Sequence, residues 1–313
     1  MSIEITCTVC GNRDKFLPYC QQEHFTVVTC QQCQFVFIPL VYRKSLSYHD
    51  YKSKAVAEAV KEGNNWLKMQ RHRLRVYHIK KFITKGSLFD LGSGWGHFLL
   101  TAQAMGFGVS GVELSEEPYK YSKDVLGLNV QRADFFELNF INCFDVITLW
   151  DVLEHIDRPK PFIEKCYKAL KPGGIIVIQV PQIDSYISKK LKCRWNMMGL
   201  DHVNYFSRNT LSRLMEDSRL SVRSMRSSWE VKLFIMYTVL PVLKRFKSRS
   251  KSTLRQTDQG ISAEERQHFF NRVTRLPRPV LWILVKLHNT LYHVLSLCNI
   301  GEELMLVAQK PKT

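Results

Sequence analysis

From Gly86 onward the chain alternates short, nearly continuous apolar runs with longer amphipathic stretches. The runs SLFDLG, GVSGVEL, FDVITLW and GGIIVIQV have no polar alternate face, which predicts buried parallel strands covered on both sides. Helical spacing between them predicts helices over 98–105, 116–126 and 161–170. Strands alternating with helices predict an α/β fold, a doubly wound Rossmann-like sheet. LSVRSMRSSWEV and GEELMLVAQKP add two later strands, with about seventy residues between them. Upstream, Lys52 to Ile83 is basic, helical in period and free of proline, and the aromatic connector FVFIPLVYRKSLSYHDYKS precedes it. No internal repeat is visible. The expected division is a cysteine-rich ribbon at 1–45, a helical connector and cap at 46–85, the α/β core at 86–231, a basic, apolar helical insertion at 232–300, and the last strand and tail at 301–313.

Composition narrows the class. With 313 residues and 45% hydrophobic content, the chain can bury one full domain and still carry appendages. A net charge of +17 favours anionic partners, either nucleic acid or an anionic membrane surface. The amino terminus, MSIEITCTVCGNRDKF, has neither an apolar h-region nor a small-residue cleavage site, so a cytoplasmic address is expected.

Cysteine spacing adds a metal site. Cys7, Cys10, Cys30 and Cys33 form C-x2-C-x19-C-x2-C, the spacing of a four-thiolate zinc centre in which each C-x2-C knuckle aims two sulfurs at one ion. Four thiolates close the coordination sphere, so the expected zinc is structural. The alternatives are a disulfide pair, which a reducing compartment disfavours, or four unrelated thiols. Cys20 lies between the knuckles as a spare or substitute ligand, while Cys143, Cys166, Cys193 and Cys298 read as core.

The stretch FDLGSGWGHFLL, 89–100, places a tight turn between a strand and a helix. Gly92, Gly94 and Gly96 let the backbone turn and let a polar ligand approach it. Asp90 ends the first core strand, where open α/β sheets bind ligands, and Glu113 ends the second, about twenty residues on, where a carboxylate accepts ribose hydroxyls. A dinucleotide fingerprint needs G-x-G-x-x-G, and here the third glycine comes one residue early. Glycines serving turn geometry alone are the remaining alternative.

These residues resemble the class I S-adenosylmethionine-dependent methyltransferases. FDLGSGWG is similar to that family's D-x-G-x-G-x-G signature, and the likeness continues through GVELS, the RADF segment, ITLWDVLEHIDRP and ALKPGGIIVIQVP, over residues 86–182 in the family's order. The four-cysteine amino terminus and DHVNYFSRNTL, 201–211, resemble a small-molecule subgroup of the family. The resemblance implies that Gly92, Gly94 and Gly96 line the amino-acid part of the cofactor, that Glu113 holds its ribose, and that Leu114 lies against adenine. It also implies that Asp134 meets the adenine amine and that Asp90 orders the methionine amino end. Asp151 joins Asp90, Glu113 and Asp134 in a carboxylate edge suited to a sulfonium cation. Ordinary helix-start caps are the alternative for Asp134 and Asp151.

Methyl transfer from sulfonium depends mainly on alignment, and a base is needed only for a hydroxyl acceptor. The candidates are His202, His155 and Asp151, with structural imidazoles as the alternative for both histidines. Ubiquinone-biosynthesis O-methyltransferases carry a related E-x-x-E-H segment associated with a divalent metal. Asp151, Glu154 and His155 stand at those positions and imply a magnesium site. From Lys232 to Arg255 there are seven Lys or Arg and no acid, beside apolar segments too interrupted to span a bilayer, which fits either peripheral attachment to an anionic membrane or a helical lid. The expected function is methylation of oxygen on a lipid-linked, quinone-type or sugar-like small molecule. An RNA-binding or RNA-methylating zinc-ribbon protein and a non-catalytic cofactor-binding scaffold are the alternatives; nucleic acid is disfavoured because no RNA-binding module is recognisable.

Overall fold

The computed structural model describes residues 5–43, 66–195, 197–228, 277, 279, 282–283, 286, 290 and 301–312. The amino-terminal unit consists of strands β1 (Phe16–Gln21), β2 (Thr26–Cys30) and β3 (Val36–Phe37), followed by the single turn of α1 (Leu40–Arg43). Helix α2 (Trp66–Lys80) is the described part of the predicted connector; 44–65 lie outside the described residues. The core then runs β4 (Gly86–Leu91), α3 (His97–Ala104), β5 (Phe107–Val112), α4 (Glu116–Lys120), β6 (Val130–Gln131), β7 (Phe144–Trp150), α5 (Pro159–Ala169) and β8 (Leu170–Pro181). It continues through α6 (Tyr186–Leu191), β9 (Asn204–Tyr205), α7 (Arg208–Asp217), β10 (Ser221–Ser228) and β11 (Glu303–Gln309).

Seven strands form one sheet in the order β10-β11-β8-β7-β4-β5-β6. The pairings β8-β7, β7-β4, β4-β5 and β5-β6 are parallel, and β11 is antiparallel to both neighbours. The apolar runs become strands because both faces are covered: Ile147, Leu149, Ile176 and Ile178 pack in one cluster, Val146, Ile175 and Val177 in another. The first predicted helix holds within one residue at each end. The second passes after α4 into one π turn, Tyr121–Val125, and the third starts two residues early at Pro159, because proline suits a first turn whose N–H groups lack partners. The two-residue strand β6 at the sheet edge escaped the sequence reading, being too short for any periodicity.

The ribbon is not a detached module. Its sheet is β1-β2-β3-β9, and β9 comes from the core, with Val36 opposite Tyr205 and Phe37 opposite Asn204. Phe35 stacks on Phe37 at 5.7 Å and meets Phe206 at 5.1 Å, and all three are buried in a cluster that continues through Leu153 to the main sheet. The expected boundary at residue 45 therefore describes the sequence but not the packing. Three cysteine expectations change as well. Cys20 is bonded to Cys193, 173 residues away, inside an apolar cluster and apart from the other ribbon thiols. Burial in one cluster brings the two sulfurs together, so Cys20 is no spare ligand and Cys193 is a crosslink. Cys143 is exposed, Cys166 is buried as expected, and Cys298 lies outside the described residues.

Candidate active site

The strand-turn-helix unit at β4–α3 opens a cleft at the carboxyl ends of β4, β5 and β7. Gly92, Gly94 and Gly96 all adopt positive φ (68°, 52° and 78°), a region that strains any residue with a side chain. At Gly96 an added Cβ would come within 2.7 Å of Leu128, whereas at Gly94 it would meet no atom of the described residues within 4 Å. The first glycine lets the helix pack; the second leaves open space beside the backbone.

Glu113 is tied to that turn. Its Oε2 accepts from Gly94 N and its Oε1 from Ser115 N, both at 2.8 Å. Each oxygen keeps a second lone pair, so the carboxylate is oriented without being used up. Leu91, Gly92, Glu113, Leu114, Asp134, Asp151 and His155 all line this cleft. Asp134 Oδ1 accepts from Phe136 N at 2.8 Å and caps the short helix Phe135–Glu137, so the cap alternative describes one of its oxygens. Asp90 lies beneath the cleft: its Oδ1 accepts from Thr148 Oγ at 2.6 Å across the β4–β7 register. Burial pushes its carboxyl up to about 7, against the opposing influence of Thr148 and Arg75.

Arg71 and Arg75 were missed by the sequence reading. Arg75 is buried, its Cζ sits 4.2 Å from the Trp150 ring centre, and its Nη2 is 3.6 Å from Asp151 Oδ2. Arg71 reaches the same oxygen at 3.9 Å and Glu303 at 3.3 Å. Burial and Arg71 bring the Arg75 guanidinium down to about 10, and its Nε and Nη2 have no hydrogen-bond partner among the described residues. Asp151 also accepts from Gln179 Nε2 at 3.1 Å. The expected carboxylate edge therefore carries two guanidinium groups. The only cue in the sequence was the run RHRLR, which reads as a solvated basic helix until α2 is folded against β7 and β11.

A second group forms where the turn after β7 meets the segment before β9. One ligating atom each from Glu154, His155 and His202 lies within 4.8 Å of the others. The two imidazole centres are 4.9 Å apart. His155 Nδ1 faces the Asp201 carbonyl and His202 Nδ1 the Met197 carbonyl at 3.0 Å, so in both rings Nδ1 donates and Nε2 is the atom left to bind a ligand. Burial, then His202, lowers the His155 pKa, favouring this neutral form. Glu154 is 1% exposed, neither carboxylate oxygen has a side-chain hydrogen-bond partner among the described residues, and burial followed by Asp151 pushes its carboxyl well above the usual range. Asp151 is not in the group, because it is turned toward Gln179 and the arginines. The expected magnesium set of Asp151, Glu154 and His155 is thus replaced by one carboxylate and two imidazoles, a donor set for a transition ion rather than for magnesium.

In the ribbon, Cys7, Cys10, Cys30 and Cys33 converge as free thiols. The Cys7–Cys33 and Cys10–Cys30 sulfur pairs are each 3.6 Å apart, close to the roughly 3.8 Å edge of a tetrahedron with zinc–sulfur bonds of about 2.3 Å. The thiol hydrogen bond with Cys33 holds Cys7 down to about 5, and the same pairing pushes Cys33 up.

Comparison with known proteins agrees with this geometry. A model of a methyltransferase domain matches residues 66–224, just over half of the chain. A ubiquinone biosynthesis O-methyltransferase of Colwellia psychrerythraea is 29% identical over 109 residues, 32% of this chain and 44% of that protein. One from Pseudomonas syringae is 25% identical over 174 residues, 52% of this chain and 72% of that protein. The match thus spans less than half the length of the Colwellia relative. Among solved structures, a complex of the Haloferax volcanii Trm112 methyltransferase activator with a methyltransferase aligns with a TM-score of 0.52 at 16% identity, covering 82% of this chain and 95% of that one. A Haemonchus contortus phosphoethanolamine N-methyltransferase in complex with S-adenosylmethionine aligns with a TM-score of 0.51 at 16% identity, covering 86% and 61%. Sheet order, glycine turn and family match lead to one conclusion: the chain belongs to this methyltransferase-domain family and is built on the class I, S-adenosylmethionine-dependent methyltransferase fold.

Proposed function

We propose that the protein methylates an oxygen of a small molecule, with a lipid-linked, quinone-type or sugar-like acceptor. The observation that carries this reading is that His155 lines the same cleft as Glu113 and Gly92, so an acceptor base and the cofactor residues share one space. When bound, S-adenosylmethionine supplies a methyl group made electrophilic by its sulfonium. Glu113 holds the ribose hydroxyls and Leu114, 42% exposed, offers an apolar face to adenine. The free oxygen of Asp134 takes the adenine amine. The open space at Gly94 admits the amino-acid end, whose carboxylate goes to Arg75 and whose ammonium is ordered by Asp90.

On the acceptor side, the hydroxyl oxygen forms the new bond to the methyl carbon as the carbon–sulfur bond breaks, and without a metal its proton passes to the Nε2 of His202 or His155. Glu154 and the same two Nε2 atoms would instead fit a divalent transition cation, which would lower the hydroxyl pKa so that the proton leaves to water, since a coordinated Nε2 accepts none. Cys7, Cys10, Cys30 and Cys33 hold a structural zinc. No helix among the described residues is long and apolar enough to cross a membrane. The basic segment 232–255, outside the described residues, would meet an anionic membrane surface.

The test is transfer of a labelled methyl group to a polyprenyl catechol and to a free sugar. Transfer to a hydroxyl that falls about 100-fold in His155→Ala, with S-adenosylhomocysteine affinity retained, supports the reading. Transfer confined to amines or carbon acceptors contradicts it.

A further inference from the structure

We infer that Arg43, carried by the amino-terminal ribbon, is the positioning residue of the acceptor side, setting the separation of Glu154, His155 and His202. The inference rests on the proposed role of those three residues. Arg43 is six residues past the end of β3, the last residue of α1, and its side chain is 3% exposed. A guanidinium has five N–H groups, and here five acceptors surround it. Nε donates to Ile38 O at 2.7 Å, Nη1 to Asp157 O and Oδ1 at 3.2 Å each, and Nη2 to Val203 O at 3.2 Å and Asn204 Oδ1 at 3.5 Å.

These acceptors belong to three separate pieces of chain. Ile38 belongs to the ribbon, Asp157 ends the turn that carries Glu154 and His155, and Val203 directly follows His202. The last two pieces are stitched to each other as well. Val203 N donates to Glu154 O at 2.9 Å, and Asn204 Nδ2 donates to Leu153 O at 3.1 Å and Ile156 O at 2.6 Å. Arg43 closes this arrangement from outside, and Ile38 N adds a bond to the same Val203 carbonyl at 2.9 Å.

Stability alone is a poor reason for such a residue. Its one carboxylate partner among the described residues, Asp157, is 65% exposed, and taking a guanidinium out of water for one solvated partner gains little over a buried apolar side chain. What an apolar side chain could not do is fix two carbonyl-bearing turns at a set distance. No bond from Arg43 reaches the glycine turn or Glu113, so its effect should fall on the acceptor side only.

The experiment uses the full chain loaded with zinc and compares wild type with Arg43→Ala, Arg43→Lys and Asp157→Ala. Mn2+ binding, read by electron paramagnetic resonance, reports on the trio, and calorimetric affinity for S-adenosylhomocysteine reports on the cofactor side. The expected result is Mn2+ affinity at least tenfold weaker in Arg43→Ala, partly recovered in Arg43→Lys, and about threefold weaker in Asp157→Ala, with S-adenosylhomocysteine affinity within twofold throughout. Undiminished Mn2+ binding in Arg43→Ala, or a parallel loss of both ligands, overturns the inference. If Arg43→Ala does not fold, Arg43→Lys and Asp157→Ala decide. A wild type that binds no Mn2+ sinks the metal reading instead. Deuterium exchange at the His155 and Val203 amides then decides on Arg43: exchange at least tenfold faster in the variants, with Gly94 unchanged, supports it, and unchanged exchange overturns it.

Discussion

Asp90 sits at the carboxyl end of β4 with a carboxyl raised to about 7 by burial. A cation bound above it favours the charged form, so its pKa falls on binding and a proton leaves. At pH 7 binding of S-adenosylmethionine should release up to about half a proton, and neutral-sulfur S-adenosylhomocysteine less; calorimetry in two buffers of different ionisation enthalpy measures both. Equal release for the two ligands, or release that survives Asp90→Asn, contradicts this assignment. The same group stabilises the ligand-free fold below pH 4 and loses that contribution as pH rises through 7. At this scale, legibility followed locality. Gly92, Gly94, Gly96 and Glu113 could be found from spacing because a turn and a strand end are local events. Arg75 could not, since it gains its meaning from a helix folding against β7; Glu154 was placed by the E-x-x-E-H likeness, but its grouping with His202 was not, because that depends on a segment some fifty residues on.

Between elements, the strand β9 is the feature that spacing could not show. Two residues, Asn204–Tyr205, complete the ribbon sheet, and nothing in DHVNYF indicates a partner some 170 residues earlier. The main sheet was legible because each parallel strand is a self-contained apolar run; the ribbon was legible only as a cysteine pattern. Cys20–Cys193 is a second tie between the same two regions, spanning 173 residues. Closing so long a loop in the unfolded chain should be worth about 5 kcal/mol by chain entropy. Wild type kept oxidised should therefore unfold at a higher denaturant concentration than Cys193→Ser, and dithiol reductant should remove the difference. Identical midpoints under oxidising conditions would show that the bridge adds no stability.

For the whole molecule, charge is distributed unevenly. The net charge is +17, yet carboxylates of Glu113, Asp134 and Asp151 line the cleft. The surplus of cations lies elsewhere, including the seven between Lys232 and Arg255. Each basic residue near an anionic leaflet is worth roughly 1 kcal/mol and is screened by salt. Co-sedimentation with phosphatidylglycerol vesicles should be strong at low ionic strength, weak at high, and lost when those seven are neutralised. Retention on RNA but not on vesicles would contradict it.

The central claim is that the glycine turn and Glu113 bind S-adenosylmethionine, and the most direct test is calorimetric titration of the wild type and Glu113→Ala with S-adenosylhomocysteine. Saturable one-to-one binding in the wild type, falling roughly 30-fold when the charged ribose contact is removed, is the predicted result. No binding by the wild type, or equal binding by both proteins, would contradict it.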